Sequence, residues 1–264
     1  GSLATISLDQ GILKQAERYS RQQLEVYEQA GMLENAAGSR HNLALTLSLL
    51  GQYQQARRLF QINLAFWRSY HTDPHMPMVR EGLGYLYLQQ GKLSVAGNHL
   101  HAALRLYEQM DDLDGMAYTH LYLGHLTGKM EQWRKADKHY HESLRLRQTL
   151  QHTYLLCQCQ VGLAQAAWQQ GNTEAAIAHI QPALPVLTAG KVMGEDIAYT
   201  YWAAYQVLTA VNNRQAKAVL NQGAAYVRRQ AAALTDDPAV LHTFVHGVAT
   251  HQSLLQAAGE VTLL

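Results

Sequence analysis

Residues 79–104 read VREGLGYLYLQQGKLSVAGNHLHAAL. Apolar residues recur at helical spacing on both sides of Gly91, a pattern that predicts two amphipathic helices joined by a tight turn. The first helix carries a large residue followed by a small one, Leu83-Gly84, and the second carries Ala96. Small side chains at these positions let two helices approach closely, so the stretch is predicted to form a helical hairpin.

The same hairpin pattern recurs along the chain at steps of 40 residues. The large–small pair, or two small residues in its place, recurs at Leu43-Ala44, Leu83-Gly84, Leu123-Gly124, Leu163-Ala164 and Ala203-Ala204. The alanine of the second helix recurs at Ala16, Ala56, Ala96, Ala136, Ala176 and Ala216. Self-similarity at a fixed period of this size predicts an all-α solenoid, a right-handed superhelix of antiparallel helix pairs that pack on their neighbours.

The regular step also divides the chain into units. It places a half unit at 8–30 and full units at about 35–70, 76–110, 115–150, 154–188 and 195–234. The half unit is predicted to be a second helix whose partner lies upstream. Residues 235–264 are predicted to hold a capping helix, from about Pro238 to Ala257, and a tail. Residues 1–7 are expected to be a disordered cloning remnant, and Pro182 and Pro185 to kink the second helix of their unit.

Composition narrows the class of protein. Among 264 residues, 48% are hydrophobic and 16% are charged, as in a folded globular protein. A net charge of +1 gives no electrostatic case for binding nucleic acid or an anionic membrane. Cys157 and Cys159 lie two apart on a predicted helix, point to different faces and cannot easily form a disulfide. Free thiols favour a reducing, cytoplasmic location.

The motifs of common catalytic and cofactor sites are missing from the sequence. It contains no GxxxxGK[ST], HExxH or GxSxG motif. His242 and His246 have the spacing of two metal ligands, but no third ligand accompanies them, so no metal, cofactor or catalytic residue is predicted. The acidic pairs Asp111-Asp112, Glu195-Asp196 and Asp236-Asp237 fall in connectors and are expected to cap helices.

The hairpin resembles the tetratricopeptide repeat (TPR). Its residues Leu83, Gly84, Tyr87, Ala96 and Leu100 match the residue types of the TPR sequence pattern. The C-terminal stretches 198–234 (AYTYWAAYQVLTAVNNRQAKAVLNQGAAYVRRQAAAL) and 236–255 (DDPAVLHTFVHGVATHQSLL) are similar to the C-terminal TPR region of large bacterial STAND-type signal-transduction ATPases, of which the maltose-responsive activator type is a familiar member. This resemblance implies a repeat region that senses or recruits, preceded in the parent protein by a nucleotide-binding module.

The first helices of a solenoid line its inner, concave face, and residues off the packing stripe are expected to point into the groove. These predicted binding residues are His41, Asn42, Leu45, Glu81, Tyr85, Tyr118, Tyr122, His125, Gln158, Gln165, Trp168, Tyr201 and Tyr205. The set is rich in aromatic rings and poor in charge, which suits a peptide, a protein segment or a polar small molecule. In related TPR proteins, an asparagine at the position of Asn42 can bond a bound peptide backbone. The alternative is that these rings pack between units.

Three functions remain open at this point. The first is a non-catalytic protein-interaction module, the repeat region of a larger cytoplasmic signalling or transcription regulator. The second is a small-molecule sensor that regulates a linked ATPase, and the third is self-association through an exposed N-terminal face at Ile12 to Tyr27. A protein partner predicts an open groove with Tyr118, Tyr122 and Trp168 exposed, whereas a small ligand predicts a closed pocket.

Overall fold

The computed structural model describes residues 2–68 and 75–260. In chain order the helices are α1 (Leu3–Asp9), α2 (Leu13–Gln29), α3 (Leu33–Leu49), α4 (Tyr53–Arg68), α5 (Met76–Gln89), α6 (Leu93–Gln109), α7 (Leu113–Lys129), α8 (Trp133–Thr149), α9 (Leu156–Gln169), α10 (Thr173–Ile180), α11 (Leu184–Thr188), α12 (Ile197–Ala210), α13 (Ala216–Ala232), α14 (Pro238–His246) and α15 (Ala249–Ala258). Short 3₁₀ turns precede α9 and α11. Consecutive helices pack as antiparallel pairs, which confirms the predicted all-α solenoid.

The repeated small residues lie where the hairpins touch. The first five alanines of the ladder, from Ala16 to Ala176, are fully buried. The sixth, Ala216, is only partly buried because α13 begins at that residue, whereas Ala136 lies a turn inside α8. The repeat pattern is therefore weakest at the C-terminal unit.

The packing between units is tight around Tyr140. A Cβ atom added at Gly124, in the same hairpin, would lie 2.5 Å from the Tyr140 ring, and one added at Gly162, in the next hairpin, would also lie 2.5 Å away. The buried ring is thus held between two helix backbones. Glycine at both positions leaves room for the tyrosine ring at a register position where the other units carry Phe60, Leu100, Ile180 and Leu220.

The turns inside the hairpins use a left-handed residue to end the first helix. Gly91 has φ +70°, which confirms the predicted turn. Glu131 stands at the matching place in the next unit and adopts φ 59°. A side chain in this region carries conformational strain, so the surrounding packing fixes the turn more than the residue type does.

Three expectations about particular segments are settled by the helices. Residues 3–7 are not disordered, because α1 covers them and the Ser2 side chain accepts a hydrogen bond from the Thr5 backbone N–H. α1 packs on α2, so the half unit has its own, short first helix. The prediction of a single capping helix is also wrong. The helix α14 ends at His246, the backbone turns tightly at Gly247 against Thr243, and a second helix, α15, follows.

The predicted kink at the two prolines is confirmed. α10 ends at Ile180, a 3₁₀ turn holds Pro182, and α11 then starts with Pro185 in its first turn. The end of the first full unit at 69–70 and the last residues of the predicted tail, 261–264, lie outside the described residues. Among the residues that are described, no helix has both the length and the apolar character that a membrane crossing requires.

The two ends of the solenoid meet. The Leu13 backbone N–H at the start of α2 donates to Gln230 Oε1 on α13 at 3.1 Å, and Gly194 N–H donates to the Asp9 carbonyl at 2.8 Å. Lys14 Nζ lies 3.5 Å from Asp236 Oδ1. A superhelix whose first and last units bond in this way encloses its inner face instead of leaving an open groove.

Candidate functional site

Most of the thirteen predicted inner-face residues are covered by other parts of the chain. The buried ones are His41, Leu45, Tyr85, Tyr122, His125, Gln158, Gln165 and Tyr201. The partly buried ones are Asn42, Glu81, Tyr118, Trp168 and Tyr205. The open groove expected for a protein partner is therefore wrong, since Tyr122 is only 1% exposed.

The covering is done by the segment before α12 and by α12 itself. Tyr122 OH donates to Glu195, and Gln89 Nε2 donates to Asp196 Oδ2 at 3.1 Å. Farther along the inner face, Tyr199 OH donates to Gln165 Oε1 at 3.0 Å. The C-terminal unit therefore folds into the concave side and binds residues that a partner was expected to contact.

His125 shows how completely the middle of the inner face is enclosed. Its ring meets Tyr199 edge-on with 4.6 Å between ring centres, and its Nδ1 lies 2.8 Å from Tyr140 OH. Burial lowers the pKa of His125 to about 3. The imidazole is therefore neutral at physiological pH and holds α7, α8 and α12 together.

A cleft with a volume of about 570 Å³ lies on the inner face, and we call it the inner cleft. Volumes of this size are typical of ligand sites. Five of the predicted residues line it, namely His41, Asn42, Leu45, Glu81 and Tyr118. The structure thus brings together the predicted residues of the first three first helices, α3, α5 and α7. Trp168, Tyr201 and Tyr205 do not line the inner cleft.

The inner cleft has an acidic lining. Its carboxylate residues are Asp9, Glu81, Asp112, Asp114 and Glu195. Among the lining residues that the structure describes, none is lysine or arginine. The nearby basic residue is Arg147, whose guanidinium lies behind the Tyr118 ring at 4.4 Å from its centre.

Two of these carboxyl groups are held without an ion pair among the described residues. Glu81 Oε2 accepts a hydrogen bond from Thr119 Oγ1 at 2.8 Å, and Glu195 accepts one from Tyr122. Burial raises the pKa of Glu81 to about 8, and burial together with the neighbouring acids raises the pKa of Glu195 well above its usual range. Both groups are poorly solvated and surrounded by like charge.

Aromatic rings and the imidazoles of His41 and His75 complete the wall. Tyr107, Tyr118 and Tyr154 line the inner cleft, and Tyr154 is 43% exposed. His41 is 5% exposed, and its Nδ1 has no hydrogen-bond partner among the described residues. Burial lowers the pKa of His41 to about 4, so the ring is neutral at pH 7.

Asn42 has a partner within the chain. Its Nδ2 donates to Thr5 Oγ1 on α1 at 3.3 Å. α1 occupies space in front of this asparagine that the sequence prediction left to a bound peptide. The side chain remains part of the lining of the inner cleft.

Sequence reasoning missed the acidic half of the lining. Asp9 ends α1, Asp112 and Asp114 begin α7, and Glu195 lies before α12, so none of them follows the repeat register of the first helices. Asp112 does cap α7, accepting from the Gly115 backbone N–H at 3.0 Å. The sequence feature that could have indicated the acidic lining is the occurrence of acidic pairs in the connectors. Their interpretation as helix caps accounts for Asp112 but not for Glu195.

Comparison with known proteins identifies the repeat. Models of the tetratricopeptide repeat family match residues 35–109 and 158–182. BtubC (BKLC) from P. vanneervenii aligns with a TM-score of 0.59 at 16% identity, over 84% of this chain and 92% of that chain. A chain of the APC/C hetero-tetramer Cut9-Hcn1 aligns with a TM-score of 0.61 at 17% identity, over 97% of this chain and 48% of that chain.

These likenesses define the class of protein. The chain has the fold of a TPR α-solenoid, and proteins with this fold generally act as non-catalytic scaffolds for protein interactions. At identities this low the solved structures establish the fold alone. None of the curated proteins compared with the chain matches it.

Proposed function

We propose that this chain is a non-catalytic protein-interaction module that binds a narrow segment of a partner protein at the inner cleft. TPR repeats typically mediate protein–protein interaction, which supports the class of function. The observation that carries the location is the inner cleft of about 570 Å³, lined by residues from both ends of the solenoid. Residues gathered from distant units form a specific site more readily than one helix face does.

The size of the cleft limits what can enter. Tyr85 and Tyr122 are buried under the C-terminal unit, so a long peptide has no continuous groove to follow. Tyr118 and Asn42 are partly exposed, and Tyr154 lies at the rim. Recognition by one or two inserted side chains fits this shape, because a few anchors supply most of the affinity of an interface.

Site-specific photo-crosslinking tests the location. A photoreactive phenylalanine analogue replaces Tyr154, which is 43% exposed at the cleft, or Ile177, which is 42% exposed on α10 away from it. We expect a discrete adduct with a cellular protein from position 154 and none from position 177. The same adduct from both positions, or an adduct from position 177 alone, would contradict the proposal.

A small-molecule sensor is the second candidate, and the enclosure of the inner face favours it. Tyr122 is buried, whereas an open groove for a protein partner would expose it, and a small ligand needs no such groove. In this reading the ligand shifts a linked ATPase between states, as the resemblance to STAND-type proteins suggests. A ligand of low molecular mass that co-purifies with the native chain, with no protein adduct at position 154, would favour this candidate.

We also propose that the chain is the repeat region of a larger signalling or transcription regulator. The resemblance of residues 198–255 to the C-terminal TPR region of such proteins supports this context. The sequence of the parent gene upstream of residue 1 tests it. A P-loop motif in the preceding few hundred codons is the expected result, and a parent without one would contradict the proposal.

Self-association through the N-terminal hairpin stays a further prediction. The large apolar side chains exposed at that end are Leu3, Ile6, Ile12, Val26, Met32 and Leu33. Apolar side chains exposed to solvent gain free energy when a second copy of the chain covers them. Light scattering across concentration distinguishes the states: a dimer that Val26→Glu dissociates is expected, and a strict monomer at high concentration would rule it out.

A further inference from the structure

We infer that the inner cleft is a binding site for an organic cation, an ammonium or guanidinium group carried on an aliphatic stem, which inserts between Glu81 and Glu195. The inference rests on the proposed function, since it names the group that the cleft recognises. Two sources could present this chemistry: a lysine or arginine side chain of the partner, or a free amine. The experiment below distinguishes these two sources.

The charge of the walls is the first step of the argument. Five carboxylate residues line a volume of about 570 Å³, and the described lining contains no lysine or arginine. In the empty cleft Glu81 is mostly protonated at pH 7, and a positive charge placed nearby favours the ionised form of a carboxyl group. A cation is therefore the ligand that would ionise and bind the carboxyl groups of this lining.

The buried carboxyl groups supply the specific contacts. Glu81 accepts a hydrogen bond from the Thr119 hydroxyl and Glu195 one from the Tyr122 hydroxyl. Neither group forms an ion pair with any of the described residues. Each carboxylate has about four lone-pair positions, so both retain acceptors for the N–H groups of an inserted cation.

His41 provides an independent observation. This side chain lines the cleft and is 5% exposed, yet its Nδ1 has no hydrogen-bond partner among the described residues. Buried polar atoms are nearly always paired, so an orphaned nitrogen in the wall of a cavity is a feature that a ligand would complete. A neutral imidazole nitrogen accepts an N–H from an ammonium or guanidinium group.

The three tyrosines favour an organic cation. Tyr107, Tyr118 and Tyr154 place aromatic rings in the wall, and such rings attract organic cations and cover their aliphatic stems. Tyr118 already receives a guanidinium on one side, that of Arg147 at 4.4 Å from the ring centre. Within the described ranges, no three histidine, cysteine or acidic side chains are grouped as the ligands of one metal ion would be.

The charged neighbours determine how pH acts on binding. Around Glu81 these are Asp112 and Asp114, with Tyr107 beside them. The pKa of Glu81 is raised to about 8, chiefly by burial, so the carboxyl is mostly protonated at pH 7 when the cleft is empty. A bound cation favours the ionised form. Binding is therefore expected to release a proton and to strengthen as the pH rises from 6 to 9.

The same direction holds at Glu195. Its charged neighbours are Glu81, Asp9, Asp196 and Asp114. Arg147 acts on the site from behind Tyr118 and lowers the pKa of Asp9, which burial otherwise raises. His41 is neutral over this pH range, so it does not compete with the ligand as a positive charge.

The test is isothermal titration calorimetry of the full chain with defined probes. Nα-acetyl-arginine amide and Nα-acetyl-lysine amide represent a partner's side chain, and putrescine represents a free amine. Nα-acetyl-citrulline amide is the matched probe that has nearly the shape of the arginine probe but no charge. We expect at least one cationic probe to bind at a single site and the citrulline probe to bind at least about tenfold more weakly, because hydrogen bonds between charged groups contribute more than 1.4 kcal/mol.

Isosteric variants place the binding in the cleft. Glu81→Gln and Glu195→Gln keep the shape of each side chain and are expected to weaken binding of the cationic probe by about tenfold or more. Glu142→Gln is the control, since Glu142 lies on α8 and pairs with Arg145. Circular dichroism checks the fold of each variant. Binding by no cationic probe, or binding that the cleft variants leave unchanged, would overturn the inference.

Competition with the photo-crosslink at position 154 provides a second measurement that needs no cleft variant. The cationic probe is expected to suppress the adduct, while the citrulline probe leaves it intact. An adduct that no cation suppresses overturns the cation site and leaves the proposed function standing. Cation binding in the cleft without any protein adduct supports the site and contradicts the protein partner, with tighter binding of putrescine pointing to a free amine.

Discussion

The middle hairpins and the junction between the two ends of the chain are built on different rules. From α5 to α10, each helix meets its neighbour through residues that recur every 40 positions, and the repeated small residues are buried. At the junction, Gly194 bonds to Asp9 and Leu13 bonds to Gln230, which share no repeat position. The repeats build the scaffold, and the residues outside the repeat create the enclosed site.

Substitution of Gly162 tests the repeated packing with the largest expected effect. Gly162→Ala places a Cβ 2.5 Å from the Tyr140 ring, which Gly124 confines from the other side. Overpacking of this kind costs about 1–3 kcal/mol of unfolding free energy. Gly38→Ala, also within a helix but with no atom within 4 Å of the new Cβ, is the control and is expected to be neutral or slightly stabilising. Equal changes in unfolding free energy for the two variants in urea titrations would mean that the contact between Gly162 and Tyr140 is not tightly packed.

The next largest effect on stability is expected from substitutions of the repeated alanines, which compare a middle hairpin with the C-terminal one. Ala136→Leu enlarges a fully buried contact and is expected to lower the unfolding free energy by roughly 2 kcal/mol. Ala216→Leu acts at a partly buried helix end and should change it by less than about 0.5 kcal/mol. Thermal and urea unfolding measure both. A loss at position 216 as large as that at 136 would show that the C-terminal unit packs as regularly as the others.

Substitution of Gln230 tests the junction. Gln230→Ala removes the buried acceptor of the Leu13 N–H, which lies 217 residues away in sequence. A buried donor left without a partner costs about 1–3 kcal/mol, and water entering this junction would bring the loss to the lower end of that range. Hydrogen exchange at Leu13 is expected to accelerate, with Gln256→Ala on the exposed face of α15 as the control. Unchanged exchange at Leu13 would show that the junction does not depend on this bond.

The smallest expected effect is a change in pH dependence at Glu81. The folded protein keeps a proton on this carboxyl up to about pH 8, whereas the unfolded chain releases it near 4.5. The free energy of unfolding therefore falls as the pH rises between these values. Glu81→Gln should reduce this fall by about 1 kcal/mol, because Glu81 is partly buried and its remaining contact with solvent reduces the effect. Parallel curves for the two proteins from pH 5 to 8 would contradict the raised pKa.

The regular part of the fold was predictable because each repeat carries its own evidence. Leu83-Gly84, Ala96 and the turn at Gly91 predict one hairpin, and repetition of the pattern predicts the others. α1 was missed since seven residues are too few to show a helical period. The break at Gly247 was missed because the apolar spacing continues across it.

Only part of the candidate site was predictable from the sequence. The positions of His41, Glu81 and Tyr118 follow from the register, so their place on the inner face could be foreseen. Their burial could not, because it depends on how far the superhelix turns before its ends meet. Glu195 contributes to the cleft only because Gly194 is bonded to α1, a contact between distant segments that no local pattern records.

The bond between Leu13 and Gln230 also has a mechanical consequence. Separating the first hairpin from the last would load this bond and the one between Gly194 and Asp9 before any hairpin is unzipped. A solenoid whose ends are not bonded extends elastically under force. One whose ends are joined by hydrogen bonds resists extension until those bonds break. Glu195 follows Gly194 directly, so the rupture that frees the coil would also dismantle the acidic wall.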